Sequence, residues 1–424
     1  MTNGEIDKLG EKIGQTAGNV SAEDLQKLQE FRKTFKEPIA EVFDFVSKIA
    51  NKIDKQSIVT YRIKRIDTII RKLQRFSENE NGSMKLSRMW DIAGCRCILN
   101  TNDESKLYQI LSAIKKEYGE NCKVNDYVLK PKESGYRSIH IYVKDKVYKK
   151  SVEIQIRNTQ QHNWSTLVEI IDVLFGTKTK EGQKTKNLDE FLKLYSKRET
   201  LAREDLVKLI TIGRKNRIFE QMSSMFSRNY IRVYQDWVQN RPSGCFYVIE
   251  ANSNGSTIES YRSFEKAEAE YYNKYLNSKD TNIVLTHIVN ADFDRICKAY
   301  SNYVLSMHAF FDEYRNFICT QILLCIEKKD RFLLGKLMNI FVRNAVCYIK
   351  NINSEISAIE LCLNNTKSNR SQIIKWKKSI VRRQISWNNS LNYFGSRLDY
   401  NVKKKPLLKL YLNSKFKSIS RKIK

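Results

Sequence analysis

Proline is scarce in this 424-residue chain, with four residues, and glycine numbers only fifteen. So few breakers exclude a collagen-like or loop-dominated chain and favour long helices. The nine cysteines include no CxxC pair, and the closest two are Cys95 and Cys97. That spacing supports neither a zinc site nor a disulfide framework, and the odd count points to free thiols in a reducing compartment. The opening residues, MTNGEIDKLGEKIG, lack the apolar core of a signal peptide. The most apolar helical stretch, FICTQILLCI (Phe317–Ile326), is too short to span a bilayer and runs into Glu327, Lys328 and Lys329. A cytoplasmic protein without membrane association is therefore expected. There is no Walker A sequence, no kinase-type glycine loop and no dinucleotide-binding fingerprint.

Acidic residues are also few, 47 against 75 Lys and Arg, for a net charge of +28. Such an excess fits an anionic partner, or lysines scattered over solvated faces. It is concentrated at the end of the chain. From Lys367 onward there are seventeen Lys and Arg and one acid, Asp399, so this segment contributes 17 − 1 = +16. Hydrophobic content of 41% is ample for sizeable cores.

The pattern along the chain implies an α/β protein with a mixed sheet and packed helices. Residues 1–20 are polar and read as a mobile terminus. A helical pattern starts at Ser21, whose pairing with Asp24 is that of an N-cap, and Pro38 divides it. A helix covers about Asp67–Phe76, and SENENGS (Ser77–Ser83) reads as a loop. CRCILN (Cys95–Asn100), Ile139–Val143 and Ser151–Arg157 read as strands, with helices at Asp103–Gly119 and Thr159–Phe175. GTKTKEGQKTKN (Gly176–Asn187) reads as a loop. Residues 21–200 thus form the main α/β domain, and 201–240 a helical connector ending at NRPSG (Asn240–Gly244). Residues 241–330 form a small α/β unit: strands Cys245–Ala251 and Asn282–Val289, a helix Phe264–Leu276 and a long helix Asp292–Ile326. Residues 331–424 form a basic helical region.

Four segments carry polar groups that a core does not require. In YRIKRIDTIIRKLQR (Tyr61–Arg75), Lys64, Thr68 and Lys72 are four apart, placing them on one helical face beside Arg71 and Arg75. That face suits an anion, or simply solvent. In RMWDIAGCRCIL (Arg88–Leu99), Asp91 precedes a small-residue turn and Arg96 enters a strand. DYVLKPKESGYRSIHIYV (Asp126–Val143) brings Lys130, Lys132, Tyr136 and Arg137 into a strand where His140 and Tyr142 oppose Ile139, Ile141 and Val143. Lysines and arginine suit phosphates, and a tyrosine ring suits a base. In SVEIQIR, Glu153, Gln155 and Arg157 share one strand face. Two carboxylates, Asp91 and Glu153, suit a shared Mg²⁺, and the cations suit a triphosphate.

In this order and spacing, YRIKRIDTIIRKLQR, DIAGCR, DYVLKPKESGYRSIH and VEIQIRNTQQHNW resemble the motifs of RelA/SpoT-type alarmone synthetase domains, over about residues 35–200. The resemblance implies a nucleotidyltransferase-like fold. It implies transfer of the ATP β,γ-pyrophosphate to the 3′-hydroxyl of GDP or GTP, giving (p)ppGpp and AMP. On this resemblance Arg62 flanks the adenine, and Lys64, Lys72 and Arg96 bind ATP phosphates. Asp91 and Glu153 are the catalytic and Mg²⁺-binding carboxylates. Tyr136 stacks on the acceptor guanine, and Gln155 and His162 support the site; set beside these, Lys130, Lys132 and Arg137 read by residue type as the acceptor-binding side. Thr68, Ser134 and Asn158 depart from the usual Ser, Asn and Thr. No His–Asp pair exists, so no hydrolase domain of the long family members is expected. Two alternatives stay open: pyrophosphorylation of the 3′-terminal adenosine of tRNA, and a nucleic-acid-binding regulator with an inactive synthetase fold. In both, the basic end of the chain would hold tRNA or other nucleic acid, with Trp376, Trp387, Tyr393 and Phe394 available for stacking or for a core. The sequence leaves the oligomeric state open, a homo-oligomer included.

Overall fold

A computed structural model describes the chain except for residues 17–18, 78–83, 178–184, 241–242, 253–254, 278–281, 290, 305–307, 366–369 and 424. Of the loops expected at Ser77–Ser83 and Gly176–Asn187 and the boundary expected at Asn240–Gly244, residues 78–83, 178–184 and 241–242 lie outside the described residues, while Ser77, Lys186 and Asn187 belong to helices. The chain divides into two compact units. One comprises Met1–Lys132, Tyr136–His162 and Pro242–Ala299, and the other Glu133–Gly135, Asn163–Arg241 and Tyr300–Lys424.

The first unit is built on eight strands: β1 (Ile58–Ile63), β2 (Ala93–Leu99), β3 (Cys122–Asp126), β4 (Ile139–Lys144), β5 (Ser151–Asn158), β6 (Phe246–Asn252), β7 (Gly255–Tyr261) and β8 (Asn282–Ile288). They form one sheet in the order β3-β4-β5-β2-β1-β8-β6-β7. β2 and β5 are parallel, and the other pairings are antiparallel. The expected α/β class is therefore present, but the sheet is larger than the sequence pattern suggested. β1 was not expected as a strand because Ile58–Tyr61 are all buried, which erases the polar–apolar alternation. The small α/β unit expected at 241–330 is not separate. Its strands join β1 through β8, with Tyr61 paired to His287.

Helices α1 (Asn3–Gln15), α2 (Ala22–Lys33), α3 (Lys36–Ile53), α4 (Ile66–Ser77) and α5 (Ser105–Tyr118) belong to this unit, as do α10 (Phe264–Asn277) and α11 (Phe293–Ala299). Ser21 caps α2 through the Asp24 amide, and Pro38 sits in the first turn of α3, where its missing N–H costs nothing. One face of the sheet is apolar. Ile139, Ile141, Ile154 and Ile156 are wholly buried there, in one core with Ile39, Val42 and Val46 of α3 and Leu107, Ile110 and Ile114 of α5. The opposite face carries the polar residues.

The terminus expected to be mobile is α1, closed by a capping box between Thr2 and Glu5. Ile6, Leu9 and Ile13 recur at three and four and are buried in the same core. Gly10 lets the helix approach closely, since a Cβ there would lie 2.7 Å from the Leu86 Cβ.

The second unit is helical, with α7 (Lys186–Ser196), α8 (Arg203–Lys215), α9 (Ile218–Asn240), α12 (Ser301–Val304), α13 (His308–Glu327), α14 (Arg331–Asn365), α15 (Arg370–Val402) and α16 (Pro406–Ile423). The long helix expected from Asp292 is broken into α11, α12 and α13. α14 is long and apolar enough to cross a membrane by length and composition, and its most apolar window is half buried within the protein. Aromatic pairs fill this unit. Tyr234 stacks on Trp376 at 4.3 Å, and Tyr348 on Trp387 at 3.6 Å. The Arg315 guanidinium lies 4.4 Å from the Trp387 ring centre.

The role of α1 is testable. Ile13→Ala should cost about 2–5 kcal/mol, as for other fully buried large-to-small changes. Chemical denaturation should show a lower midpoint; an unchanged midpoint would mean that α1 is a loose tail after all.

Candidate active site

The polar sheet face is assembled by register. Arg62 on β1 pairs with Gly94 on β2, and Gly94 with Glu153 on β5. One step along, Arg96 pairs with Gln155, and Gln155 with His140 on β4. Period-two alternation thus puts Arg62, Arg96, Glu153, Gln155 and His140 on one surface. Gly94 leaves that surface low between Arg62 and Glu153, because a Cβ there would meet nothing nearer than 4.0 Å.

Two polar clusters stand on or beside this face. The first is centred on Asp91, just before β2. Lys64 Nζ lies 2.6 Å from Asp91 Oδ2, and Lys72 Nζ lies 2.9 Å from Oδ1. All three side chains are about four-fifths shielded from solvent. Burial lowers the Lys64 ammonium below its ordinary value despite its partner. Burial would raise the Asp91 carboxyl, but Lys64 and Lys72 outweigh it and hold it below the usual carboxylate range. The expected single helical face of Lys64, Thr68 and Lys72 is corrected here. Lys64 lies in the turn between β1 and α4, and only Thr68 and Lys72 are on the helix. The two lysines meet through Asp91 instead.

The second cluster is a continuous hydrogen-bond chain. Gln155 donates to Glu153 Oε2 at 3.0 Å, and Glu153 Oε1 is 2.8 Å from His140 Nδ1. His140 Nε2 is 2.6 Å from the Tyr136 hydroxyl, to which Arg157 also donates at 2.7 Å. Arg157 further donates to Gln155 Oε1 at 3.0 Å. With His140 donating from Nδ1 to the carboxylate, its Nε2 accepts from the phenol. Burial opposes ionisation of Glu153, yet the His140 bond holds its carboxyl below the ordinary value, against a raising effect of Asp91. Burial would lower the His140 imidazole, but Glu153 and Tyr136 raise it. Burial likewise opposes the Tyr136 phenolate, but Arg157 and His140 bring the phenol down to about 7.

The remaining expected residues are placed differently. Gly135, at φ +92°, turns the chain into Tyr136. Lys130, Lys132 and Arg137 are exposed. Lys132 Nζ lies 4.6 Å from the Tyr127 ring centre and 5.4 Å from that of Tyr136. Arg137 is 3.8 Å from Glu104. Arg96 and His162 both reach the C-terminal end of α11. Arg96 donates to the Ala299 carbonyl at 3.2 Å, and His162 Nε2 is 2.6 Å from the Lys298 carbonyl. These contacts are favourable at a helix C-terminus, and they tie α11 to β2 and to the start of α6 (Thr159–Phe175). His140 and Arg157 were not assigned roles from sequence. The signal was present, since alternation already placed both on polar strand faces.

Residues 61–170 match the family model described as a region found in RelA/SpoT proteins. The chain carries a RelA/SpoT-type domain. It is 29% identical over 135 residues to the GTP pyrophosphokinase YwaC of Bacillus subtilis (strain 168), covering 30% of this chain and 63% of that protein. It is 31% identical over 115 residues to the GTP pyrophosphokinase YjbM of the same organism, covering 26% and 53%. The chain thus spans less than two thirds of either curated relative. Among solved structures, small alarmone synthetase 1 of Bacillus subtilis aligns with 40% of this chain and 89% of its own, at 25% identity and a TM-score of 0.31. A GTP pyrophosphokinase family protein of Streptococcus pneumoniae aligns with 40% and 86%, at 22% identity and a TM-score of 0.33. Both Asp91 and Glu153 fall inside the matched region.

The aromatics of the basic tail divide unevenly. Trp376, Trp387 and Phe394 are buried in the helical unit, and Tyr393 is 66% exposed. The tail's cations do converge in one place. Lys415, Lys417, Arg421 and Lys422 of α16, with Arg214 of α8 and Arg343 of α14, line a cleft of about 590 Å³.

The hydrogen-bond chain has an optical signature. Because the Tyr136 phenol is lowered to about 7, it is protonated below that pH and ionises above it. Absorbance near 295 nm should show a tyrosinate step near neutrality that Tyr136→Phe abolishes. Arg157→Leu should move the step upward. A spectrum with no tyrosinate below pH 9 would contradict the arrangement.

Proposed function

We propose that the chain is a nucleotide 3′-pyrophosphokinase that transfers the β,γ-pyrophosphate of ATP to the 3′-hydroxyl of GDP or GTP. The observation that carries this reading is the placement of a largely shielded Lys64–Asp91–Lys72 cluster beside a Glu153 carboxylate that His140 and Gln155 hold in place. Reactions of this kind need charge neutralisation and alignment more than covalent chemistry.

In this reading Lys64 and Lys72 exchange Asp91 for the ATP phosphates, and Arg62 flanks the adenine across the space above Gly94. The exposed Lys130, Lys132 and Arg137 meet acceptor phosphates, and the Tyr136 ring stacks on guanine. Glu153, ionised at neutral pH, takes the proton of the 3′-hydroxyl as its oxygen attacks the β-phosphorus. The bond from the β-phosphorus to the α-phosphate oxygen breaks, and AMP leaves. His140 orients Glu153 through Nδ1, and Tyr136 and Arg157 fix the imidazole in turn. Arg96 and His162 act at one remove, by anchoring α11.

Asp91 and Glu153 suit Mg²⁺, a hard cation that takes one or two carboxylates and fills its shell with phosphate and water. Among the described residues no cluster of three or more His, Cys, Asp or Glu side chains offers a fuller cage, which fits a cation shared with the nucleotide. Bound there, Mg²⁺ would supply neutralisation of the pyrophosphate charge. All nine cysteines are free thiols, consistent with a cytoplasmic setting.

The basic cleft of the helical unit favours one second reading, in which the acceptor is the 3′ end of tRNA. Burial of Trp376, Trp387 and Phe394 leaves that reading with charge but little stacking surface.

The test is incubation with γ-labelled ATP, Mg²⁺ and GDP, GTP or tRNA. AMP and a labelled guanosine 3′-diphosphate are expected; label in tRNA alone would replace the first reading with the second, and label in neither would reject both. Glu153→Gln should lower kcat by about 10²–10⁴, the usual worth of a general base, with MgATP binding retained. Tyr136→Ala should raise the acceptor KM well above that of Tyr136→Phe. Equal losses for the two variants would make the hydroxyl, not the ring, the working part.

A further inference from the structure

The turn that carries Lys64 is held by residues far away in the chain. Arg32, wholly buried on α2, donates from Nε to the Lys64 carbonyl at 2.8 Å. The Tyr271 hydroxyl on α10 accepts from the Ile66 amide at 3.0 Å, at the first residue of α4. Between them, the Lys64 amide donates to the Ile92 carbonyl at 2.7 Å, next to Asp91. The Arg65 guanidinium bonds the Asn282 side chain of β8.

These anchors are themselves fixed. Arg32 Nη1 lies 3.0 Å from Glu268 Oε1 on α10, and both side chains are buried. Gln29 bridges Arg32 and Glu268. The Arg32 guanidinium also lies 4.6 Å from the Tyr271 ring centre. A buried ion pair is weak evidence for stability, since hydrophobic side chains fill such space as well. Here its geometry does something hydrophobic side chains cannot: it aims a donor at one backbone carbonyl. The two backbone groups so held, Lys64 C=O and Ile66 N–H, bracket the step from β1 into α4. That step sets where Lys64 and Lys72 stand relative to Asp91.

We propose that Arg32 and Tyr271, locked by Glu268 and Gln29, are positioning residues that hold the Lys64 turn for ATP. The three-stranded extension β6–β8 with α10 then belongs to the support of the nucleotide site. This inference rests on the proposed role of Lys64 and Lys72. A displacement of the turn would spread the two ammoniums and weaken nucleotide binding, leaving Glu153 on β5, His140 on β4 and Tyr136 just before β4 unaffected.

Tyr271→Phe is the sharp variant, because it keeps the ring under Arg32 and removes only the acceptor. Tyr247→Phe is the control, because that hydroxyl donates to the Gly244 carbonyl at 2.8 Å and not to the turn's backbone. Calorimetric titration of the full chain with MgATP should show about tenfold weaker binding for Tyr271→Phe, as expected for loss of one buried hydrogen bond. GDP affinity, and MgATP affinity of Tyr247→Phe, should be unchanged. Hydrogen exchange should quicken at residues 64–72 in Tyr271→Phe while α10 stays protected. Unaltered MgATP affinity in Tyr271→Phe, or an equal loss in Tyr247→Phe, would overturn the proposal. If the wild type binds no MgATP, the underlying functional reading fails, and the exchange experiment still decides whether Tyr271 holds the turn.

Discussion

The Asp91 carboxylate between two ammoniums is the interaction on which the site depends. Lys64 arrives from the end of β1, Lys72 from the second turn of α4, and Asp91 from the approach to β2. Three largely shielded charges of this kind favour one another's company, since each alone would carry a desolvation penalty. Their mutual satisfaction fixes the geometry of the site. It also leaves the cluster ready to exchange partners, because a polyphosphate can replace the carboxylate for the lysines and a cation can replace the lysines for the carboxylate. The helix with Lys72 is in turn set by its first residue, which is where the Tyr271 contact falls.

Around that cluster the sheet works as a ruler. One face is filled by Ile139, Ile141, Ile154 and Ile156, so a one-residue slip would turn the polar set into the core. The apolar face therefore specifies that Glu153, Gln155, His140 and Arg96 stand on a common surface. A fully satisfied polar network on such a surface is rigid, and each member loses its partner if one is removed. That explains why His140, with no role expected from sequence, sits at the centre of the chain from Glu153 to Tyr136.

What could be read from the sequence was local. Alternation marked β4 and β5, and the residue types at Asp91, Glu153, Lys64 and Lys72 marked charges that the fold brings into two polar clusters. β1 escaped because Ile58–Tyr61 are buried on both faces, and with it the true setting of Lys64, which lies in the turn after the strand and is not on a helical face. α1 escaped because its polar residues outnumber Ile6, Leu9 and Ile13, although their spacing was helical. The contribution of Gln29, Arg32, Glu268 and Tyr271 had no local mark at all, since the partners are more than 200 residues apart. In the basic tail, composition could not tell a stacking aromatic from a core one; burial of Trp376 against Tyr234 and of Trp387 against Tyr348 does.

The exchange of partners at Asp91 is most directly tested by binding ATP without turnover, in wild type and Asp91→Asn, each with Mg²⁺ and with chelator. The wild type should bind ATP more tightly with Mg²⁺. Asp91→Asn should bind metal-free ATP more tightly than the wild type does, because Lys64 and Lys72 are released, and should gain little from Mg²⁺. Weaker metal-free binding by Asp91→Asn, or an undiminished gain from Mg²⁺, would contradict the placement of the phosphates and the cation on these three side chains.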